Sequence, residues 1–238
     1  MPDPTTSAKS RSRVLIIEDH TLFAESLELA LTIERYDARR IPVPELGGSQ
    51  RAVLGAALRL KPQVVLLDLD LGGMGDGVRL IGPLAQSGAH VVVITGTPDR
   101  GRRGECLHRG ARAVLSKVQP LNEILAAVRR TSEGRPVMSV EDREALLTAW
   151  HEEREQQEEL RARLDRLTQR EREVLGHLIE GHSVTDIARL SVVSVATVRT
   201  QVKSILAKLE VSSQLAAVGV AHTLGWSPPE RFDGRTHR

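Results

Sequence analysis

From Arg13 to about Thr131 the chain alternates two hydrophobic periods that a single kind of element cannot satisfy. Short runs rich in β-branched residues (RVLIIED, VVLLDLD, HVVVITG, RAVLSK) are separated by TLFAESLELALTI, SQRAVLGAALRLK and LNEILAAVRR, whose apolar residues recur three and four apart. The first pattern suits strands buried on both faces, the second amphipathic helices. Strands that alternate with helices pair in parallel, because each crossover returns the chain to the same end of the sheet. With YDARRI, stopped by Pro42, as a weaker strand, the pattern predicts a doubly wound α/β domain over residues 13–131, with a five-stranded parallel sheet.

Ligand sites in such sheets lie outside the carboxyl ends of the strands. Glu18 and Asp19 close the first apolar run, Asp68 and Asp70 the third and Thr95 the fourth, while Lys117 follows the fifth. All fall at one edge. Crowded carboxylates repel each other unless a cation sits among them. With no His or Cys counted in the set, oxygen donors favour Mg²⁺ or a similar ion. A carboxylate poised at a strand end can accept a phosphoryl group, whose oxygens Mg²⁺ and Lys117 would neutralise and Thr95 would hydrogen-bond. Lone Cys106 excludes an intramolecular disulfide and is read as incidental.

The chain of 238 residues, 40% apolar and 27% charged with a formal charge of +2, has the composition of one large or two small globular domains. No apolar run approaches the ~18 residues of a membrane helix. The N-terminus has no secretory h-region. A cytoplasmic protein without a membrane partner is expected, with residues 1–12 a disordered lead-in and 227–238 a disordered tail.

Residues 132–166 read as a helical linker. EDREALLTAWHEEREQQEELRARLDRL contains neither Gly nor Pro, and Leu146, Trp150, Leu160, Leu164 and Leu167 fit one heptad register with Glu153 and Gln157 at its polar middle. That leaves two readings, a solvated spacer or a dimeric coiled coil. The preceding stretch PDRGRRGECLHRG predicts a poor helix, since Gly101 and Gly104 each cost about 1 kcal/mol inside one. It is expected to be a frayed surface element.

Residues 167–226 read as short helices only. Thr168 and Glu171 form a capping box, Ser183 and Asp186 repeat a similar start, and Ser194 caps VATVRTQVKSILAKLE, whose apolar face is Val195, Val198, Val202, Ile205, Leu206 and Leu209. Thr197, Arg199, Thr200, Gln201, Lys203, Ser204 and Lys208 would face outward, residue types suited to phosphates and base edges. His177 and His182 flank the first helix's end and are read as surface or capping residues.

The quoted elements carry two resemblances. IIEDHTLF, LLDLDL, VITG and LSK, in that order, resemble the receiver domain of two-component response regulators, a flavodoxin-like fold. The segment from LTQREREVL to LGW closely resembles the LuxR-type helix-turn-helix domain. The whole is similar to response regulators of the NarL/LuxR type. The resemblance implies a transcription regulator rather than an enzyme, with Asp68 as phospho-acceptor. Mg²⁺ would be held by Asp19, Asp68 and the Asp70 carbonyl with Glu18 in support, and Thr95 and Lys117 would bind the phosphoryl group. It also implies DNA contacts by Thr197, Arg199, Thr200, Gln201 and Lys203, a sensor histidine kinase or small phosphodonor, double-stranded DNA and a homodimer. The chain departs from the pattern in the loop Gly72-Gly73-Met74-Gly75-Asp76-Gly77, expected to be longer and looser than usual, and in Val114, which stands where the family carries an aromatic. Gln201 replaces a usual His, and Glu210 a usual Gly or Asn. Two alternatives stay open: a receiver switched by a ligand or partner without phosphorylation, and, more remotely, a phosphatase with an aspartyl nucleophile and Asp70 as its second acid.

Overall fold

The computed structural model describes residues 12–42 and 49–228, so the lead-in and tail lie outside the described residues apart from Ser12, Ser227 and Pro228. Five strands, β1 (Arg13–Glu18), β2 (Asp37–Pro42), β3 (Val64–Leu67), β4 (His90–Thr95) and β5 (Ala113–Ser116), pair in parallel in the order β2-β1-β3-β4-β5. Helices α1 (Thr21–Ile33), α2 (Gln50–Leu60), α3 (Val78–Gln86) and α4 (Arg100–His108) make the crossovers, and α5 (Leu121–Ser132) follows β5. Successive strand residues face opposite sides. Leu15, Ile17, Val65, Leu67, Val91 and Val93 join one core with α2, α3 and α4, whereas Val14, Ile16, Val64, Leu66, Val92 and Ile94 join the other with α1 and α5. The chain reverses direction across the sheet between β1 and β3. That switch point opens the crevice in which sheets of this order bind ligands.

A long helix, α6 (Val140–Asp165), follows, and then α7 (Gln169–Ile179), α8 (Val184–Leu190), α9 (Val195–Leu209) and α10 (Gln214–Thr223). The chain divides into two compact units, Met1–His151 and Glu152–Arg238. The second has its own core, built from Val174, Leu175, Ile187, Val198, Val202, Ile205, Leu209, Ala217 and Ala221. No single helix among the described residues is long and apolar enough to cross a membrane.

Two expectations fail here. The α4 segment is not frayed: Asp99 caps it by accepting from the Arg102 amide, and Gly101 and Gly104 are both buried. A Cβ at Gly104 would stand 2.0 Å from the Leu146 carbonyl oxygen and 2.8 Å from the Trp150 Cβ. The glycine therefore admits the first turns of α6 to the face of α4, and the propensity it forfeits is recovered in packing. Leu146 joins the sheet unit's core, and the Trp150 ring stacks on His108 with centroids 3.8 Å apart. The glycine loop after β3 is longer but not looser. Gly72–Met74 forms a 3-10 turn, Asp70 bridges to Asp76, and the Asp76 carbonyl accepts from Gln50. The Asp76 carboxylate accepts from the Val78 amide and pairs with Arg102.

Candidate functional site

At the carboxyl ends of β1 and β3 the backbone delivers three carboxylates to one point. β1 ends in Glu18, 5% exposed, and Asp68, 2% exposed, follows the last residue of β3. Glu18, Asp19, His20 and Asp68 each offer a ligand atom within 4.8 Å of the others. Lys117, set one residue beyond β5 by the hydrogen bond its backbone N–H donates to the Thr95 carbonyl, spans the group. Its Nζ donates to Asp68 Oδ2 at 2.6 Å and to Glu18 Oε1 at 2.9 Å. Burial opposes the Lys117 charge, but the two carboxylates outweigh it and raise its pKa. Burial pushes the Glu18 carboxyl up, against the hydrogen bonds it accepts from Lys117 and the His20 amide, and the Asp68 charge adds to the rise. The cluster thus holds more negative charge than one ammonium neutralises.

The site fits a cation. Asp19 Oδ1 is shielded from solvent and makes no hydrogen bond among the described residues, although His20 Nδ1 lies 2.8 Å away. A buried carboxylate oxygen without a hydrogen bond is costly unless a positive charge completes it. Gly72, at φ +57°, passes so close that a Cβ there would lie 3.2 Å from Asp19 Oδ2. Gly77 brings α3 against the strand end, where a Cβ would stand 2.2 Å from the Asp68 carbonyl oxygen. Glycine is required at both places.

Of the residues singled out in the sequence, Glu18, Asp19, Asp68 and Lys117 converge. Thr95, 4% exposed, closes β4 at the same edge, its hydroxyl accepting from the Thr97 amide at 3.2 Å. The Asp70 carboxylate does not join the ligand cluster. It is exposed and accepts from the Gly72 amide at 3.3 Å. That geometry withholds the second acid a phosphatase reading needs. The expectation of a site without histidine is corrected by His20, whose ring accompanies Glu18 and Asp19 and whose pKa is raised, chiefly by its hydrogen bond to Glu18. Phe23, with Lys117 Nζ 5.6 Å from its ring centroid, was likewise not foreseen. Both stand directly behind the acidic pair in EDHTLF, where a strand end turning into a helix keeps neighbours together.

In the second unit, α8 and α9 form the helix-turn-helix pair. Ser183 and Ser194 cap them by accepting from the Asp186 and Thr197 amides, as the sequence predicts. Val198, Val202, Ile205 and Leu209 are buried. On the opposite face Thr197, Arg199, Thr200 and Lys203 are exposed and Gln201 is half-buried. Ser204 and Lys208 do not face outward as expected: the Ser204 hydroxyl donates to Glu171 Oε1 and Lys208 Nζ to Glu171 Oε2, each at 2.6 Å. Glu171 also accepts from the Thr168 amide in its capping box. One carboxylate therefore caps α7 and bolts α9 to it.

Residues 14–129 match the family model of the response regulator receiver domain, and residues 165–221 that of bacterial regulatory proteins of the luxR family. The chain belongs to the NarL/LuxR-type response regulators. Among the relatives of this response regulator, "Response regulator protein VraR" of Staphylococcus epidermidis is 29% identical over 208 residues, 87% of this chain and 94% of the relative. VraR of Staphylococcus aureus is 29% identical over 209 residues, with the same coverage of each. Among solved structures, the Salmonella typhimurium RcsB response regulator covers 90% of this chain and 98% of its own at 22% identity, with a TM-score of 0.48.

Proposed function

We propose that the protein is a DNA-binding transcription regulator switched by phosphorylation of Asp68 and active as a homodimer. The observation that carries this reading is the Asp68 carboxylate, buried at a strand end, 2.6 Å from the Lys117 ammonium and within one cluster with Glu18 and Asp19. An Asp68 oxygen attacks the phosphorus of a sensor histidine kinase's phosphoimidazole or of a small phosphodonor. The new O–P bond forms as the bond to the leaving group breaks, and the leaving group departs with its electron pair. Lys117 is freed from Asp68 to pair with the transferred oxygens, and the Thr95 hydroxyl donates to one of them. Asp19 and Asp68 would hold Mg²⁺ with Glu18 behind them and, as the family resemblance implies, the Asp70 carbonyl. When bound, Mg²⁺ supplies positive charge against the phosphoryl oxygens.

The division into a receiver of residues 13–131, a helical linker of 132–166 and a reader of 167–226 belongs to the same reading. Arg199, Thr200 and Lys203 would enter the major groove of double-stranded DNA, with Thr197 and Gln201 on phosphates. Homodimerisation is supported by α1, where Leu22, Leu29 and Ile33 lie seven and four residues apart on one helical face and are 80%, 64% and 73% exposed. With a kinase and DNA as partners, the protein acts in the cytoplasm.

Val114, 2% exposed in β5 where the family carries an aromatic, favours a second reading in which a ligand or partner switches the receiver. Intact mass after incubation with acetyl phosphate, with and without Mg²⁺, separates the two. The first reading expects a Mg²⁺-dependent phosphoryl adduct that Asp68→Asn abolishes. Absence of an adduct with both acetyl phosphate and the cognate kinase, from protein that still binds DNA, would leave the second.

A further inference from the structure

The second unit carries a cluster that neither the receiver chemistry nor DNA reading uses. α7 ends at Ile179, Glu180 is its cap residue, and Gly181 turns the chain at φ +83°. That left-handed residue lets the His182 amide donate back to the His177 carbonyl at 3.0 Å and the Gly181 amide to Leu178 at 3.1 Å. The closed turn sets the two imidazoles side by side, with ring centroids 5.3 Å apart. Glu180 points between them. Its Oε2 lies 3.2 Å from Nδ1 of His177 and 3.2 Å from Nδ1 of His182.

His177 is 7% exposed, so of its two readings, surface or capping residue, burial argues against the first. His182 Nδ1 is buried too, yet it makes no hydrogen bond among the described residues, because the Glu180 oxygen beside it lies off the required direction. A buried ring nitrogen left without a hydrogen bond beside a carboxylate is unexpected in a purely structural cap. Bonds of ~2.0–2.1 Å to a tetrahedral ion place its ligand atoms about 3.3 Å apart. Both nitrogen–oxygen edges have nearly that length, and one donor atom from each of the three residues lies within 4.8 Å of the others.

We infer that His177, Glu180 and His182 bind a divalent late transition-metal ion of the Zn²⁺ class. Two imidazoles and a carboxylate suit Zn²⁺, Ni²⁺ or Co²⁺ and not Mg²⁺, which prefers an all-oxygen shell. Three protein donors leave a position for water. Glu180 and His182 are 55% and 38% exposed, so the ion enters from solvent without unfolding the unit. Once bound it ties the end of α7 to the residue before the α8 cap and stabilises the DNA-binding unit.

The test is calorimetric titration of the full chain with Zn²⁺ in excess Mg²⁺, alongside the visible spectrum with Co²⁺. One Zn²⁺ is expected to bind, Co²⁺ to show the intense bands of four-coordination, and Zn²⁺ to raise the melting temperature of the second unit. His182→Ala at a half-buried turn position and Glu180→Gln at an exposed one, both of which keep the helix core untouched, are each expected to weaken Zn²⁺ by about tenfold or more. His20→Ala, which removes the one histidine of the receiver cluster, is expected to leave this binding unchanged. Equal affinity in the wild type and His182→Ala, or binding lost only in His20→Ala, overturns the assignment. Neither result bears on Asp68, whose phosphorylation is read separately.

Discussion

Glu171 shows how much one side chain can carry. It caps α7, accepts from Ser204 and Lys208 of α9, and is 6% exposed. Burial works to raise its pKa, but Lys208, Ser204 and the Thr168 amide together hold it down at about 2. Glu171→Gln keeps the shape and removes the charge, and is expected to destabilise the second unit by about 1.5–3 kcal/mol, the worth of hydrogen bonds to a charged group. Because the folded pKa lies below the ordinary glutamate value of 4.5, the carboxylate's contribution is full above about 4.5 and falls away as pH drops through about 2. Urea midpoints of the wild type and the variant should therefore differ at pH 6 and converge as pH falls to about 2. A constant gap across that range would assign the effect to packing. Cys106 lies at the other extreme: burial pushes its thiol up to about 12, which makes it inert and agrees with its reading as incidental.

Among the elements, α4 and α6 depart furthest from what their sequences suggest. Propensity counts the glycines of α4 as losses, whereas Gly104 is the point at which α6 approaches. Gly104→Ala gains helix propensity and should still destabilise the sheet unit, since overpacking of this kind costs about 1–3 kcal/mol. In a Trp226→Phe background, which leaves Trp150 as the one tryptophan, its fluorescence should shift to the red as the indole leaves His108. An unshifted spectrum with unchanged stability would mean that α6 accommodates the methyl group. The heptad seam, which runs through α6 to Leu167, divides between the two units. Leu146 and Trp150 are engaged in the first unit, and Leu164 and Leu167 lie in the core of the second. Of the five seam residues, Trp150 and Leu160 are half-buried and belong to neither hydrophobic core.

For the whole molecule, pairing two reading helices on a doubled half-site converts the second contact into an intramolecular one and multiplies affinity by ~10²–10⁴. The exposed face of α1 is the candidate for that pairing. Leu29→Glu, at a position 64% exposed, should leave the fold and the phosphorylation of Asp68 intact. In sedimentation the phosphorylated variant should remain monomeric where the phosphorylated wild type dimerises. Its affinity for a paired DNA site should fall by ~10²-fold or more. Normal dimerisation of the variant would move the interface to another face.

The sequence alone determined the parallel sheet, the strand-end carboxylates, Lys117 and the capped helices of the DNA reader. Each follows from rules of short range: hydrophobic period, crossover geometry, and a hydroxyl three residues before the amide it caps. Only the tertiary structure decided what separate elements do to one another. It set Glu171 against α9, closed Gly104 onto α6, and fastened the glycine loop through Gln50 and Arg102. At the end of α7 it turned two histidines into neighbours around Glu180. Such pairings depend on distances across space between residues remote in sequence, or on one left-handed turn, and a linear pattern encodes neither.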